Sequence, residues 1–228
     1  MIMFGIYLTG KPPFEYVYLH GMVRAADGKK MSKSLGNVIN PDEYMEQYGV
    51  DALRMGLIAG TATGKDFSFP KDKITAYRNF GNKLWNMARF YHMMAEKIKN
   101  QDLGSSDKSE IMWYEPQMQG LRQSDLDILA KLNETITSVD TLLSSFRFAE
   151  AGDTIYHFMW DEVAAKYLEE IKSREDLGVA LTVLRHIILT GLKLLHPFMP
   201  FVTEAIWKEM PRKYNDMLIV TEWPEVTS

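Results

Sequence analysis

Apolar residues recur every three or four positions along the last two-thirds of the chain, and this spacing predicts amphipathic helices. Four long stripes have this spacing, at residues 74–98, 129–146, 148–167 and 181–195. Pro197 and Pro200 then interrupt the pattern, and residues 201–210 predict a shorter fifth helix. Four long helices joined by short connections predict an antiparallel bundle.

The first 60 residues follow a different, mixed pattern. Aromatic and β-branched residues at 15–21 predict a strand. Asn40 followed by Pro41 predicts the start of a helix that Gly49 ends, and Asp51 is expected to cap the next helix. Because one or two strands cannot make a complete doubly wound sheet, this piece is expected to be a fragment of a larger domain.

A loop rich in glycine and threonine, at residues 60–70, separates the two patterns. The predicted fold is therefore mainly α, with a helical bundle preceded by a small α/β piece. We expect the boundary between the two parts at residue 70, with residues 71–228 forming an α-helical domain. Residues 100–110 predict a polar loop, and residues 216–224 predict a strand or an extended tail.

The composition excludes several kinds of chemistry. The chain has no cysteine, which excludes disulfides, cysteine-bound zinc and thiol catalysis. None of its five histidines forms a close pair with another histidine and a carboxylate, so neither a zinc site nor another metal site is expected. The apolar residues 1–10 are too short to span a membrane and lack a basic start, so we expect core, a cytoplasmic protein and no membrane partner.

Charge is unevenly distributed along the chain. Residues 1–100 carry 14 basic and 9 acidic side chains, whereas residues 101–228 carry 12 basic and 21 acidic ones. This division indicates that the first part meets an anion, although surface charge that simply clusters explains the counts equally well.

One short run, GKKMSKSLGN at residues 28–37, is unusually rich in basic and hydroxyl groups. It supplies three ammonium groups and two hydroxyls, from Lys29, Lys30, Lys33, Ser32 and Ser34. Such groups bind phosphate strongly, and Met31 can hold the loop against a core. The run lacks the glycine and lysine spacing of a Walker loop. Chemistry alone therefore leaves two alternatives, a polyphosphate-binding loop and a solvated one.

Residues 30–34 read KMSKS, which is identical to the signature loop of the class I aminoacyl-tRNA synthetases. The flanking residues resemble the valine, isoleucine and leucine group of that family. The resemblance implies that the loop binds ATP, with Mg²⁺ on the nucleotide, and stabilises the departing pyrophosphate. It further implies that Lys33 is the main phosphate ligand and Lys30 the second, with Met31, Ser32 and Ser34 completing the site.

Two more segments carry the resemblance through most of the chain. RNFGNKLWN, from Arg78, favours the valine-specific branch over those for isoleucine or leucine, and LHPFMPFVTEAIW, from Leu195, resembles the close of the family's anticodon-binding bundle. The resemblance implies that residues 1–70 are the C-terminal end of the family's Rossmann-type catalytic domain, with the KMSKS loop and a stem-contact segment, and that residues 71–228 are the α-helical anticodon-binding domain. It also implies the partners tRNA(Val), ATP and valine. The other signature of the family, His-Ile-Gly-His, is absent, so we expect a portion of a synthetase that is inactive alone. A portion of an isoleucine or leucine enzyme, or a stand-alone tRNA-binding module, is the alternative.

A polar face on the first long helix is the candidate tRNA contact. Its residues are Arg78, Asn82, Asn86 and Arg89, with Lys83 beside them. Spacings of four, four and three place the first four on one side of a helix. Basic side chains there can follow a phosphate backbone, and asparagine can reach sugar or base edges, although most such faces are merely solvated. Trp85 and Trp160 are expected to pack against other side chains, in the core or at its rim, rather than to stack on bases.

Overall fold

The computed structural model describes residues 1–59, 61, 64–69, 71–101, 120–212 and 216–226. The chain is mainly helical, which confirms the predicted fold class. In chain order the helices are α1 (Ile2–Thr9), α2 (Pro41–Tyr48), α3 (Val50–Ile58), α4 (Lys71–Gln101), α5 (Gln123–Ser144), α6 (Phe148–His157), α7 (Leu168–Ile171), α8 (Leu177–Leu195) and α9 (Pro200–Glu209). Two short strands, β1 (Val23–Arg24) and β2 (Phe67–Ser68), form a parallel pair.

The predicted amphipathic stripes form the buried seams of the bundle. On α4, Ile74, Leu84 and Tyr91 are buried, as their three- and four-residue spacing requires. Helix α8 is long and apolar enough to cross a membrane by length and composition, but most of it is buried inside the protein, as in the core helix of a bundle. Burial of one large aliphatic side chain contributes about 1.5–3 kcal/mol, so these seams dominate the stability of the bundle.

The third predicted helix is continuous but not uniform. A π-helical segment, residues 158–167, joins α6 to α7. Its Met159 is fully buried and lies against Gly191 of α8, where a Cβ would be 2.5 Å from the Met159 sulfur. The absence of a side chain at Gly191 therefore lets α8 approach this segment closely.

The small N-terminal piece and the bundle share one hydrophobic core. Ala52 and Met55 of α3 are buried in the same cluster as Ile74 and Leu84 of α4. A Cβ on Gly56 would lie 2.7 Å from the Ile74 Cγ1 atom, so α3 and α4 pack with their backbones close together. Helices α2 and α3, which follow the lysine-rich run, are thereby fixed to the bundle.

Asp51 caps a helix, although not the one predicted from the sequence. Helix α3 begins one residue earlier, at Val50, and Asp51 lies within its first turn. Its carboxylate instead accepts hydrogen bonds from the backbone N–H groups of Phe201 (3.2 Å) and Val202 (2.6 Å), at the start of α9. A carboxylate suits this position because the first N–H groups of a helix lack partners within the helix.

Arg54, one turn further along α3, binds the neighbouring connection between α8 and α9. Its guanidinium donates to the carbonyl oxygens of Pro197 (2.9 Å) and Phe198 (3.2 Å). Asp51 and Arg54 thus satisfy the free N–H groups at the start of one helix and the free carbonyls after another.

Two predictions for the N-terminal segment are wrong. Residues 15–21 form no strand, and the strand that does form is the two-residue β1. The apolar residues 1–10, expected to be core, form the helix α1, which has no buried residue. A strand needs a hydrogen-bonding neighbour and an apolar helix needs a covering surface, and the described residues provide neither for this segment.

The remaining predictions concern the two connecting loops, the start of α2 and the tail. Residues 102–119, where most of the predicted polar loop falls, lie outside the described residues, as do positions 60, 62, 63 and 70 of the predicted boundary loop. Helix α2 begins as predicted, because the Asn40 side chain accepts the Asp42 backbone N–H at 3.1 Å. The described tail, 216–226, contains one 3₁₀ turn at Leu218–Val220 and forms no strand.

Candidate functional site

The lysine-rich run lies between β1 and α2 and is closed at its base by backbone hydrogen bonds. The Ala25 N–H donates to the Lys29 carbonyl at 2.9 Å, and Lys30 forms an isolated antiparallel bridge with Arg24. Gly28 and Gly36 have φ angles of 79° and 62°, in the left-handed region that glycine adopts readily. The loop between these two turns presents the residues that the sequence singled out.

The three lysines of the loop have different surroundings. The Lys29 ammonium lies 3.4 Å from the Asp27 carboxylate. Lys30 and Lys33 are exposed, and the structure gives neither side chain a hydrogen bond or ion pair with another described residue. The charges of Lys30 and Lys33 are therefore available to a ligand, whereas that of Lys29 is already partnered.

Two carboxylates next to the loop are held ionised by their hydrogen bonds. The pKa of Asp27 is lowered, chiefly because its carboxylate accepts the Lys29 backbone N–H. The pKa of Asp66 is lowered by a hydrogen bond from the Met22 N–H and by the Arg24 side chain, with which Asp66 forms an ion pair. Asp27 and Asp66 are thus engaged by cations other than Lys30 and Lys33.

The two serines of the loop bond to each other and cap a turn. Their hydroxyl oxygens lie 2.8 Å apart, and the Ser32 oxygen accepts the Leu35 N–H at 3.3 Å. Ser32 is therefore the N-cap of the 3₁₀ turn Lys33–Leu35, and Ser34 is exposed within that turn. Met31 is half-buried and packs against the hydrophobic core, as its apolar character predicts.

Sequence reasoning missed Asn37, which joins two backbone groups across the loop. Its side-chain oxygen accepts the Ser32 N–H at 2.8 Å, and its side-chain nitrogen donates to the Lys30 carbonyl at 3.2 Å. Nothing in the local pattern distinguished this asparagine from other turn residues.

On α4 the predicted polar face is present, and its four residues on one side of the helix are exposed. Arg78, Asn82, Asn86 and Arg89 are all exposed, and the structure gives none of them a side-chain hydrogen bond or ion pair with another described residue. Lys83 differs from these four, because it is half-buried and its ammonium lies 5.9 Å from the centre of the Trp160 ring. The first four residues therefore form the exposed face, and Lys83 lies at its edge.

Trp85 also lies on this face of α4. It is 40% exposed, whereas Trp160 packs against Phe80 and Tyr156 as expected. Its spacing of seven residues from Arg78 places it on the same side of the helix, a signal that the sequence did contain. A groove of about 430 Å³ beside it is lined by α3, α4 and α9, including Arg78, Asn82, Trp85 and Phe201.

The structure does not join the loop and the α4 face into one site. They lie on separate elements, and no hydrogen bond or ion pair connects them within the described part of the chain. Among the described residues, no three histidine or carboxylate side chains are close enough to hold a metal ion.

Comparison with known proteins gives matches to both parts of the chain. Residues 1–70 match the family model described as tRNA synthetases class I (I, L, M and V), and residues 125–228 match the anticodon-binding domain of tRNA ligase. The valine–tRNA ligase of Geobacillus kaustophilus (strain HTA426) is 39% identical over 232 residues, and that of Staphylococcus carnosus (strain TM300) is 40% identical over 233. Each match covers 99% of this chain and 25% of the relative, so the chain spans about a quarter of their length.

Solved structures of the same family share the fold. A LeuRS from Agrobacterium radiobacter K84, in a ternary complex with tRNA and LeuAMS, has a TM-score of 0.71 at 22% identity, over 99% of this chain and 26% of that one. Mycobacterium tuberculosis methionyl-tRNA synthetase, in complex with methionyl-adenylate, has a TM-score of 0.65 at 24% identity, over 83% of this chain and 37% of that one.

Proposed function

Because the chain belongs to the class I tRNA synthetases, we propose that it is the part of a valine–tRNA ligase that carries the ATP loop and the anticodon-binding bundle. The observation that supports this most strongly is the extent of the match, since identity to valine–tRNA ligases continues through 99% of the chain. Residues 1–70 would then end the catalytic domain and residues 71–228 would form the tRNA-binding domain.

The exposed apolar surface of α1 supports an origin in a larger protein. Ile2, Met3, Phe4, Tyr7 and Leu8 are each at least half exposed. A contiguous apolar surface of this kind is unusual on a soluble protein unless another surface covers it. In the proposed ligase the remainder of the catalytic domain covers α1, and the activity belongs to the whole enzyme.

The proposed reaction begins with a displacement at the α-phosphorus of ATP. The carboxylate of valine attacks this atom, forming valyl-adenylate while the bond to pyrophosphate breaks. Negative charge grows on the departing pyrophosphate, and the Lys33 and Lys30 ammonium groups would stabilise it there, with Mg²⁺ on the nucleotide sharing the neutralisation. An interaction that strengthens as charge develops lowers the barrier rather than only improving binding.

Other loop residues would position the nucleotide, and α4 would hold the tRNA. Ser32 and Ser34 would exchange their mutual hydrogen bond for phosphate contacts, while Met31 keeps the loop on the core. Transfer then follows when a ribose hydroxyl at the tRNA terminus attacks the valyl carbonyl carbon and AMP leaves. The α4 residues proposed to contact tRNA(Val) are Arg78, Asn82, Lys83, Asn86 and Arg89, with Lys83 at the edge of the contact.

Replacement of Lys33 by alanine in the complete ligase tests the catalytic part of the proposal. Loss of one charge-stabilising donor typically slows a reaction about 10²–10³-fold, so valine-dependent ATP–pyrophosphate exchange should slow by that factor while the affinity for valine changes little. Lys29→Ala is the matched control, because it removes the same charge from a partnered lysine. Equal losses in both variants would contradict the proposal.

Salt-dependent tRNA binding tests the α4 face. Arg78→Ala and Arg89→Ala should each weaken binding of tRNA(Val) and reduce the slope of log Kd against log salt by about one per phosphate contact. Arg147→Ala, which removes an arginine paired with Glu150 on α6, should leave the slope unchanged. Parallel titrations with isoleucine- and leucine-accepting tRNAs test specificity, and equal affinity for all three would contradict the assignment to valine.

A further inference from the structure

The hydrogen bonds of Asn37 set the backbone of the lysine loop in a defined register. Its amide bonds to the Lys30 carbonyl and the Ser32 N–H, the two backbone groups on either side of Met31. A neighbouring strand satisfies the backbone N–H and carbonyl groups along one side of an extended segment, and the Asn37 amide does the same for Lys30 and Ser32. Ser32 is correspondingly extended, with φ −148° and ψ 145°.

This register decides which side chains of the loop face outwards. In an extended segment, alternate side chains point to opposite sides. Met31 is half-buried against the hydrophobic core, while Lys30 is exposed. A change of register by one residue would exchange the two, placing a lysine against the core and the methionine in solvent.

The effect of Asn37 continues to Lys33 through Ser32. With its N–H held by Asn37, Ser32 presents its hydroxyl oxygen to the Leu35 N–H and thereby caps the 3₁₀ turn that begins at Lys33. Asn37 therefore supports Lys33, the lysine that our proposed function places on the departing pyrophosphate. It does so although it carries no charge and lies three positions beyond the KMSKS residues 30–34.

We propose that Asn37 is a positioning residue for the activation step, which fixes the Lys30–Ser32 backbone and, through Ser32, the place of Lys33. This inference rests on the proposed function, because it assigns Asn37 a task only if Lys33 meets phosphate. Misplacement of a reacting group by about 1 Å can cost about 10²-fold in rate. Asn37→Ala in the complete ligase should therefore slow ATP–pyrophosphate exchange by about that factor while changing the KM for valine little.

A double-mutant cycle with Lys33 separates positioning from general stability. If Asn37 acts through Lys33, the two losses overlap, so Lys33→Ala should cost less than about tenfold in the Asn37→Ala background, against about 10²–10³-fold in the wild type. Asn40→Ala is the matched control, since it also removes an asparagine that bonds to nearby backbone, but at the start of α2. Lys33→Ala should therefore slow ATP–pyrophosphate exchange by the same factor with or without Asn40→Ala.

Trypsin cleavage of the present chain gives a readout that does not depend on activity. With the Asn37 bonds removed, cleavage after Lys30 and Lys33 should become several times faster, whereas Asn40→Ala should leave it unchanged. If Lys33→Ala slows activation but Asn37→Ala does not, or if their effects simply multiply, the inference about Asn37 is wrong and the proposed function stands. If Lys33→Ala itself has no effect on activation, the proposed function fails.

Discussion

Removal of the Asp125 carboxylate should destabilise the bundle severely. Asp125 lies in the first turn of α5 and is fully buried. It accepts two hydrogen bonds from the Arg174 guanidinium (2.5 and 2.8 Å), one from the Tyr167 hydroxyl (2.6 Å) and one from the Arg122 N–H (2.9 Å). Asp125→Ala would leave a buried guanidinium and a buried hydroxyl without this acceptor.

The magnitude follows from what remains after the substitution. Breaking a buried ion pair by removing one partner costs about 3–5 kcal/mol, because the other charge stays buried. Asp176 also accepts from Arg174, at 2.8 and 3.1 Å, so part of that charge stays neutralised. We therefore expect a loss near the lower limit, about 3 kcal/mol, from a total stability of about 5–15 kcal/mol. Asp125→Asn should cost somewhat less than Asp125→Ala, because the amide oxygen still accepts a hydrogen bond. The loss remains substantial because the amide nitrogen then faces hydrogen-bond donors.

The pH dependence has a defined sign. Burial alone would raise the pKa of the Asp125 carboxyl, but the hydrogen bonds from Arg174, Tyr167 and the Arg122 N–H outweigh burial and hold it below its usual 3.8. A lowered pKa contributes stability above the unfolded-state pKa and loses it as the pH falls through the folded-state pKa. The stability difference between wild type and Asp125→Asn should therefore be constant above about pH 5 and narrow below about pH 4.

Urea unfolding of the chain, followed by far-ultraviolet circular dichroism, measures these differences. Lys172→Ala is the control, because it breaks an ion pair with Glu169 that is about half exposed and should cost less than about 1 kcal/mol. Asp125→Leu combined with Arg174→Met should recover much of the loss, since no buried charge remains unpaired. A cost of under about 1 kcal/mol for Asp125→Ala, or no recovery in the double variant, would refute the reasoning.

Three further experiments test the cap on α9, the contact between α8 and the π-helical segment, and the titration of His196. Asp51→Ala removes the cap that α3 places on α9 and should lower the free energy of unfolding by about 1–2 kcal/mol in urea titrations, with Asp51→Asn less costly; an unchanged midpoint would contradict this. Gly191→Ala should destabilise by about 1–3 kcal/mol through contact with Met159, whereas Gly178→Ala, with open space in the first turn of the same helix, should stabilise by up to about 1 kcal/mol. Burial lowers the pKa of His196 more than the nearby Glu204 and Asp51 carboxylates raise it, so its imidazole should titrate below pH 6.5 by NMR. The free energy of unfolding should fall as the pH drops from 6.5 through that midpoint. A midpoint at or above 6.5 would show that the effect of the carboxylates prevails.

The helices were predictable because their signal is local. Residues such as Ile74, Leu84 and Tyr91 repeat at the helical period, and burial of that stripe is what forms α4. The strand predicted at 15–21 failed because strand formation depends on a hydrogen-bonding neighbour, which composition does not reveal. Asp51 shows the same limit in a helix cap, since its partners Phe201 and Val202 lie 150 and 151 positions away.

The site was predictable in its chemistry and not in its internal organisation. The KMSKS letters indicated which ammonium groups to consider, but they did not distinguish Lys29, which pairs with Asp27, from Lys30 and Lys33. Asn37 was missed because its partners are backbone groups, which every residue has, and only the folded loop brings them within reach. Trp85 was expected only to pack, and its place on the same side of α4 as Arg78, seven residues along the helix, was overlooked.

Lys30 and Lys33 have no ion-pair partner among the described residues, which is informative in a chain with a net charge of −4. An exposed ion pair contributes at most about 1 kcal/mol, so folding stability alone hardly decides whether these lysines are paired. Anion binding, in contrast, favours unpaired lysines. A paired lysine must first release its carboxylate before it can bind phosphate, and the lost ion pair lowers the affinity for phosphate. Asp27 and Asp66 are engaged by Lys29 and Arg24, so neither of these carboxylates competes with an anion for the ammonium groups of Lys30 and Lys33. That arrangement favours a polyphosphate ligand over a merely solvated loop, which composition alone could not decide.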